Sequence, residues 1–245
     1  MAEMKVWKKA ALTAAGLGMV WGLGNLPVRT MAQGAMGDMQ QRIGELKEST
    51  AHNKEQLAHY TWVEQLTVIL KGQQRKQESF EVRMGPDGKP VKTPLDPQQQ
   101  AAQKGGPLRQ RIVAKKKEEF EEYGERMKLL AERYIPPDKD AIQEAYSKGN
   151  VSMTPGAGGI AGNVSIAIRN YVKTGDMMTI VFNKNTKKLE GLTIATYLDE
   201  PSDAIRISVN FASLPDGTSH VSTATLESVS KQLTINTQNS DYRHL

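Results

Sequence analysis

Cysteine is absent from the 245 residues, which removes disulfides, thiolate metal sites, cysteine nucleophiles and a lipidated cysteine anchor. Stability must then come from packing, and a chain of this length can bury a sufficient core without covalent staples. A large charge excess is missing too. The formal net charge is +5, yet Lys5, Lys8, Lys9 and Arg29 face only Glu3 within residues 1–32, so +3 belongs to that segment and +2 to the rest. That balance makes no electrostatic case for a nucleic-acid partner.

Catalytic signatures are equally scarce. No serine occupies a Gly-x-Ser-x-Gly elbow, and no nucleophile, base and orienting group can be assembled from the order of residues. Of the four histidines, His52 and His59 lie seven apart without a third ligand at metal spacing, so surface or cap positions are expected for them. The run 154–162 is rich in glycine but lacks the Lys and Ser/Thr of a phosphate loop; it is expected to be a flexible connector. Asp199, Glu200 and Asp203 lack the alternating ligands of a calcium loop and are expected to form a turn. The expectation is a non-enzymatic protein with no metal and no cofactor.

What is present begins with an export signal. Three lysines within residues 1–9 precede an uncharged stretch at 10–26, and small residues follow up to Ala32. These are the n-, h- and c-regions of a signal peptide. Residues 1–32 are expected to be removed after Ala32, or else retained as an N-terminal anchor, with no transmembrane domain in the mature form. A periplasmic or secreted location follows.

Residues 33–245 are expected to form a single α+β domain. Met36, Met39, Ile43 and Leu46 mark a helix, and Asn53 with Gln56 resembles a capping box restarting one. From Tyr60 the period changes to two: Tyr60, Trp62, Glu64, Leu66, Val68 and Leu70 share a face. A turn at Gly72, a second strand near Phe80 and Val82, the turn 85–88 and a short strand at 91–95 follow. Residues 96–106 are polar and of low complexity, the composition of a mobile loop. Leu108, Ile112, Phe120, Tyr123, Met127, Leu130 and Tyr134 then trace one stripe of a long helix ended by Pro136 and Pro137. A shorter helix spans 138–148. From Gly162 onward, short alternating runs at 164–172, 177–182, 189–198, 204–212, 218–226 and 231–237 are joined by tight turns. Such connections join antiparallel neighbours. The predicted fold is a curved antiparallel sheet, a half-barrel-like meander packed on helices, behind the N-terminal signal helix.

A sheet with one apolar face, if it curls incompletely, offers an apolar concavity. Tyr60, Trp62, Phe120, Tyr123 and Met127 are the candidate binding residues for a lipid or acyl chain. Arg109, Arg111, Lys115, Lys116 and Lys117 place positive charge at the start of the long helix, against its dipole. They are the candidate contact with acidic headgroups or an envelope protein.

Tyr60-Thr61-Trp62, Gly85-Pro86-Asp87-Gly88-Lys89, Tyr134-Ile135-Pro136-Pro137, Asn170-Tyr171-Val172, Thr196-Tyr197-Leu198-Asp199 and Leu214-Pro215-Asp216-Gly217 together resemble an uncharacterised family of exported bacterial proteins. In order of elements alone, the chain also loosely resembles the periplasmic lipoprotein carriers of the LolA and LolB type. That likeness implies a half-open antiparallel barrel accepting acyl chains. The expected function is an exported binding or carrier protein of the periplasm or cell envelope, with an envelope assembly module as the alternative.

Overall fold

Strict alternation of side chains makes Tyr60–Leu70 a strand, β1, with one face turned inward: Trp62, Glu64, Leu66 and Val68 are buried and the residues between them are less so. A computed structural model of the chain describes residues 53–95, 107–135 and 137–245, without the side chains of residues 107–114, 116, 117 and 139. The expected signal at 1–32, the helix stripe at 36–46 and the loop at 96–106 lie outside the described residues.

Lys71 and Gly72 both take positive φ, the requirement of a two-residue hairpin turn matched to strand twist. They return the chain as β2 (Gln73–Met84), and the turn at 85–88 leads to β3 (Pro90–Pro94). Two helices follow, α1 (Pro107–Glu132) and α2 (Lys139–Ser147). The rest is a meander of β4 (Val151–Pro155), β5 (Asn163–Arg169), β6 (Met177–Asn183), β7 (Lys188–Tyr197), β8 (Ala204–Ser213), β9 (Ser219–Ser228) and β10 (Leu233–His244). β10 then pairs with β1, giving one antiparallel ten-stranded sheet in the order β3-β2-β1-β10-β9-β8-β7-β6-β5-β4.

Register aligns the apolar residues in rows across the strands. Ile168, Met178, Ile194, Ile207, Leu226, Ile235 and Val68 are successive partners from β5 to β1, and all are buried. Burying an aliphatic side chain of this size contributes about 1.5–3 kcal/mol, so rows of this kind are the main term holding the sheet to its cover. That cover includes Met127, Leu130, Ala131 and Tyr134 of α1 and its end, Ile142 and Ala145 of α2, and Leu57 of a helical turn at 53–57.

The sequence expectation of an α+β fold is met in its sheet and corrected in its balance. The sheet is not closed and dominates the molecule, and among the described residues only parts of the helices pack on it. Three local readings change. The run 154–162 is no connector: Val151–Pro155 is an edge strand, and the glycines close its hairpin to β5 through Gly156 N–H to Asn163 O at 2.8 Å. β10 extends to His244, well past Thr237. Asn53 caps no helix; its amide exchanges hydrogen bonds with the Ser219 backbone.

Asp176 anchors α1 to this sheet. Its buried carboxylate accepts the backbone N–H groups of Tyr171 (2.6 Å), Val172 (2.9 Å) and Lys173 (2.7 Å), and the Tyr134 hydroxyl at 2.6 Å. Tyr134 has one proton to give, so Thr196 Oγ1, 2.7 Å away, donates to it. Burial, then the Asp176 bond, pushes the Tyr134 phenol upward, so it stays a neutral donor. Asp176→Ala would strand all four donors in the interior and is expected to cost about 3 kcal/mol or more, against about 1–2 for Tyr134→Phe. Urea denaturation of the two variants measures that ordering, and equal losses would contradict it.

Candidate functional site

Helix α1 runs across the strand ends at one end of the sheet. From Tyr123 to its end at Glu132 the helix rises about 14 Å, matching the roughly 14 Å of three strand spacings that separate β9 from β6, and Tyr134 follows in the turn beyond it. Along that path Tyr123 and Arg126 meet loops, while Lys128 pairs with Glu125 and Glu132 of the helix itself. The Tyr123 hydroxyl donates to Asp203 Oδ1 at 2.7 Å and lies 2.7 Å from the Ser228 hydroxyl, while Ser230 donates to the same Asp203 oxygen. Burial is the main reason the Tyr123 phenol titrates above its ordinary range. Arg126 grips both oxygens of Asp199, at 2.5 and 2.6 Å, a bidentate pair that is largely exposed and worth little by itself. Beside the Asp176 anchor, Lys173 donates to the carbonyls of Tyr197 and Leu198. The acidic loop read from the sequence as a turn is therefore a turn that docks the helix.

The opposite end of the sheet has a different chemistry. There β10, β1, β2 and β3 present Asn239, Trp62, Glu64, Phe80, Val82 and Lys92 on or against the inner face, with Tyr242 and His220 beside them. Glu64 stands directly opposite Asn239, and its carboxylate is ion-paired with Lys92, both side chains being nearly buried. Removing either partner would leave an uncompensated charge in the interior. The Trp62 and Tyr242 rings stack 5.5 Å apart, and the His220 ring lies 4.2 Å from Tyr242. Burial, helped by the Glu64 charge, raises the Tyr242 phenol. Tyr60 joins the rim: it donates to Asp216 at 2.7 Å, a bond that raises the phenol and holds the carboxyl below its usual range. His244 packs edge-on to Tyr60 and stacks over His59.

The five candidate binding residues are thus divided. Tyr60 and Trp62 belong to the aromatic end, whereas Tyr123 and Met127 belong to the helix end, and Phe120 lies half-buried one turn before Tyr123. Of the basic cluster, Lys115 is exposed on α1; Arg109, Arg111, Lys116 and Lys117 are on the same helix, with side chains outside the description. Glu64, Lys92, Asn239, Tyr242 and His220 are the residues that sequence reasoning missed. Glu64 carried a signal, a charge in phase with an apolar face; the others become neighbours only through strand pairing. Among the described residues no three or more His, Cys, Asp or Glu side chains are placed to hold a metal, and no helix is long and apolar enough to cross a membrane.

No protein-family model and no curated protein matches the chain. A crystal structure of a DUF1329 family protein from Desulfovibrio piger ATCC 29098 is similar over 84% of this chain and 92% of that one, at 9% identity and a TM-score of 0.39. A likeness so distant carries no argument, and no link to the lipoprotein carriers is found.

His220 supplies a titratable reporter of the aromatic end. Its Nδ1 lies 3.1 Å from the Val221 carbonyl, so Nδ1 carries the proton of the neutral ring. Burial disfavours a second proton and lowers its pKa from the ordinary value. A histidine depressed in the folded state is neutral there while the unfolded chain protonates near 6.5. Its contribution is therefore destabilising as pH falls through about 6.5, and vanishes above that. His220→Gln is expected to flatten the loss of stability between neutral pH and mildly acidic pH in denaturation curves. A variant as acid-sensitive as the parent would contradict the assignment.

Proposed function

We propose that the chain is an exported, non-enzymatic binding or carrier protein of the periplasm or cell envelope, holding a lipid or acyl chain against the inner face of its open sheet. One observation supports this reading above the others: the apolar rows run unbroken across the sheet, and the helix that covers them is tied to the loops at its end by Tyr123, Arg126 and Tyr134 as well as by buried Met127, Leu130 and Ala131. The exposed bond of this set, Arg126 to Asp199, can be exchanged for water when a ligand enters. Apolar rows supply a non-directional surface that fits acyl chains of varied length. The signal-like layout of residues 1–32 supports the location.

Native mass spectrometry of gently purified protein tests the reading. The expected result is an adduct of lipid mass that organic extraction removes and added lipid restores. Protein that is bare as purified and stays bare with added lipid would end it.

An envelope assembly module is the second reading, favoured by one feature. Among the described residues β4 pairs only with β5, and Met153 on it and Ile160 after it are exposed; an open edge of this kind accepts a further strand. Crosslinking in cells with Met153→Pro, which removes an edge N–H, is expected to abolish any adduct on that route. An unchanged adduct would set it aside.

A further inference from the structure

Across the middle of the sheet the inner face is apolar, at the helix end its polar groups Thr196 and Ser228 are hydrogen-bonded, and where β10, β1, β2 and β3 meet two polar atoms have no hydrogen-bond partner. They are Trp62 Nε1 and Asn239 Oδ1, in side chains only 3% and 9% exposed. Asn239 is the cross-strand partner of Glu64, and Trp62 precedes Glu64 by two on the same face. The two residues are thus close neighbours on that face, Trp62 standing at the bulge where the β1–β10 register shifts between Thr61 and Val63, and regular diagonal neighbours lie about 7–8 Å apart. The amide orientation is settled by Nδ2, which donates to the Val221 carbonyl at 2.9 Å; the inverted amide would set two oxygens against each other. The stacking of Trp62 on Tyr242, with 14° between the planes, rules out an N–H aimed into that ring, because the indole N–H lies in its own plane.

An unpaired buried donor or acceptor costs about 1–3 kcal/mol, and native proteins retain few of them. The open valences are one donor and one acceptor. The buried charges beside them, Glu64 and Lys92, neutralise each other. An anionic head would gain the indole N–H but face Asn239 Oδ1 and Glu64. A cationic head would gain Asn239 Oδ1 but face the N–H and Lys92. A hydroxyl or an amide satisfies both atoms at once, since each gives one hydrogen bond and takes another.

We propose that Trp62 and Asn239 form the head-group subsite for an uncharged amphiphile whose head both donates and accepts a hydrogen bond. The subsite rests on the carrier reading, because the tail would lie on the apolar rows that begin beside it at Leu66 and Val68.

Calorimetric titration of the full chain with four ten-carbon amphiphiles tests this: 1-decanoylglycerol, decanamide, decanoate and decyltrimethylammonium. The neutral heads are expected to bind about five- to tenfold tighter than the charged ones, the worth of one or two hydrogen bonds. Preference for only one of the two neutral heads also supports the subsite, and names its head. Trp62→Phe keeps the ring stack and removes the donor; Asn239→Leu removes the acceptor. Both are expected to weaken the neutral heads about five- to tenfold; Trp62→Phe leaves decyltrimethylammonium binding as tight or tighter, and Asn239→Leu does the same for decanoate, because each removes the group that opposes that charge. Equal affinity for all four heads would assign the two atoms to a buried water, overturning the subsite and sparing the carrier reading. Failure of all four to bind would remove both.

Discussion

The pairing of β1 with β10 is the constraint on which the rest depends. Without it the chain would divide into a three-stranded sheet of β1–β3 and a seven-stranded meander of β4–β10. With it the apolar rows run on from Ile235 to Val68, and the core is continuous. The partners are some 170 residues apart in sequence, as with Glu64 and Asn239. Contacts of such separation are costly in loop-closure entropy and slow to form, so the row of side chains they bring together has to repay that cost.

The same pairing makes the two ends of the sheet unlike. At one end, Asp176, Asp203 and Asp199 turn loops into sockets for Tyr134, Tyr123 and Arg126. At the other, register puts a carboxylate, an amide, an indole and a phenol on one inner face. Between them the apolar rows lie buried beneath Met127, Leu130, Ala131 and Tyr134, so the inner face is apolar in its middle and polar at both ends.

Much of the fold was legible because alternation is a local signal. β1 and β5 to β9 were found to within a few residues, since apolar and polar side chains trade places at period two along each. β4 was missed because Val151 is its only partly buried residue and its end runs into Pro155 and Gly156. The far half of β10 was missed for a more instructive reason. Its inward residues are Asn239 and Tyr242, and an inward asparagine breaks the pattern by which inward positions are recognised. The side chains that build the candidate subsite are therefore those that hide its strand. Asn53 misled in the opposite sense: its residue type suits a helix cap, but the Ser219 backbone, brought near by the sheet, takes its amide instead.

Because the chain has no cysteine, the decisive pairing can be read by a single engineered disulfide. Gln65 and Gln238 face each other on the outer side of β1 and β10, whereas Asn236 faces Thr67. Cysteines at 65 and 238 are expected to crosslink readily under mild oxidation in the folded protein, and cysteines at 65 and 236 to crosslink far less. Efficient bridging of 65 to 236, or of neither pair, would mean that Glu64 does not stand opposite Asn239, and the polar end of the inner face would not exist as described.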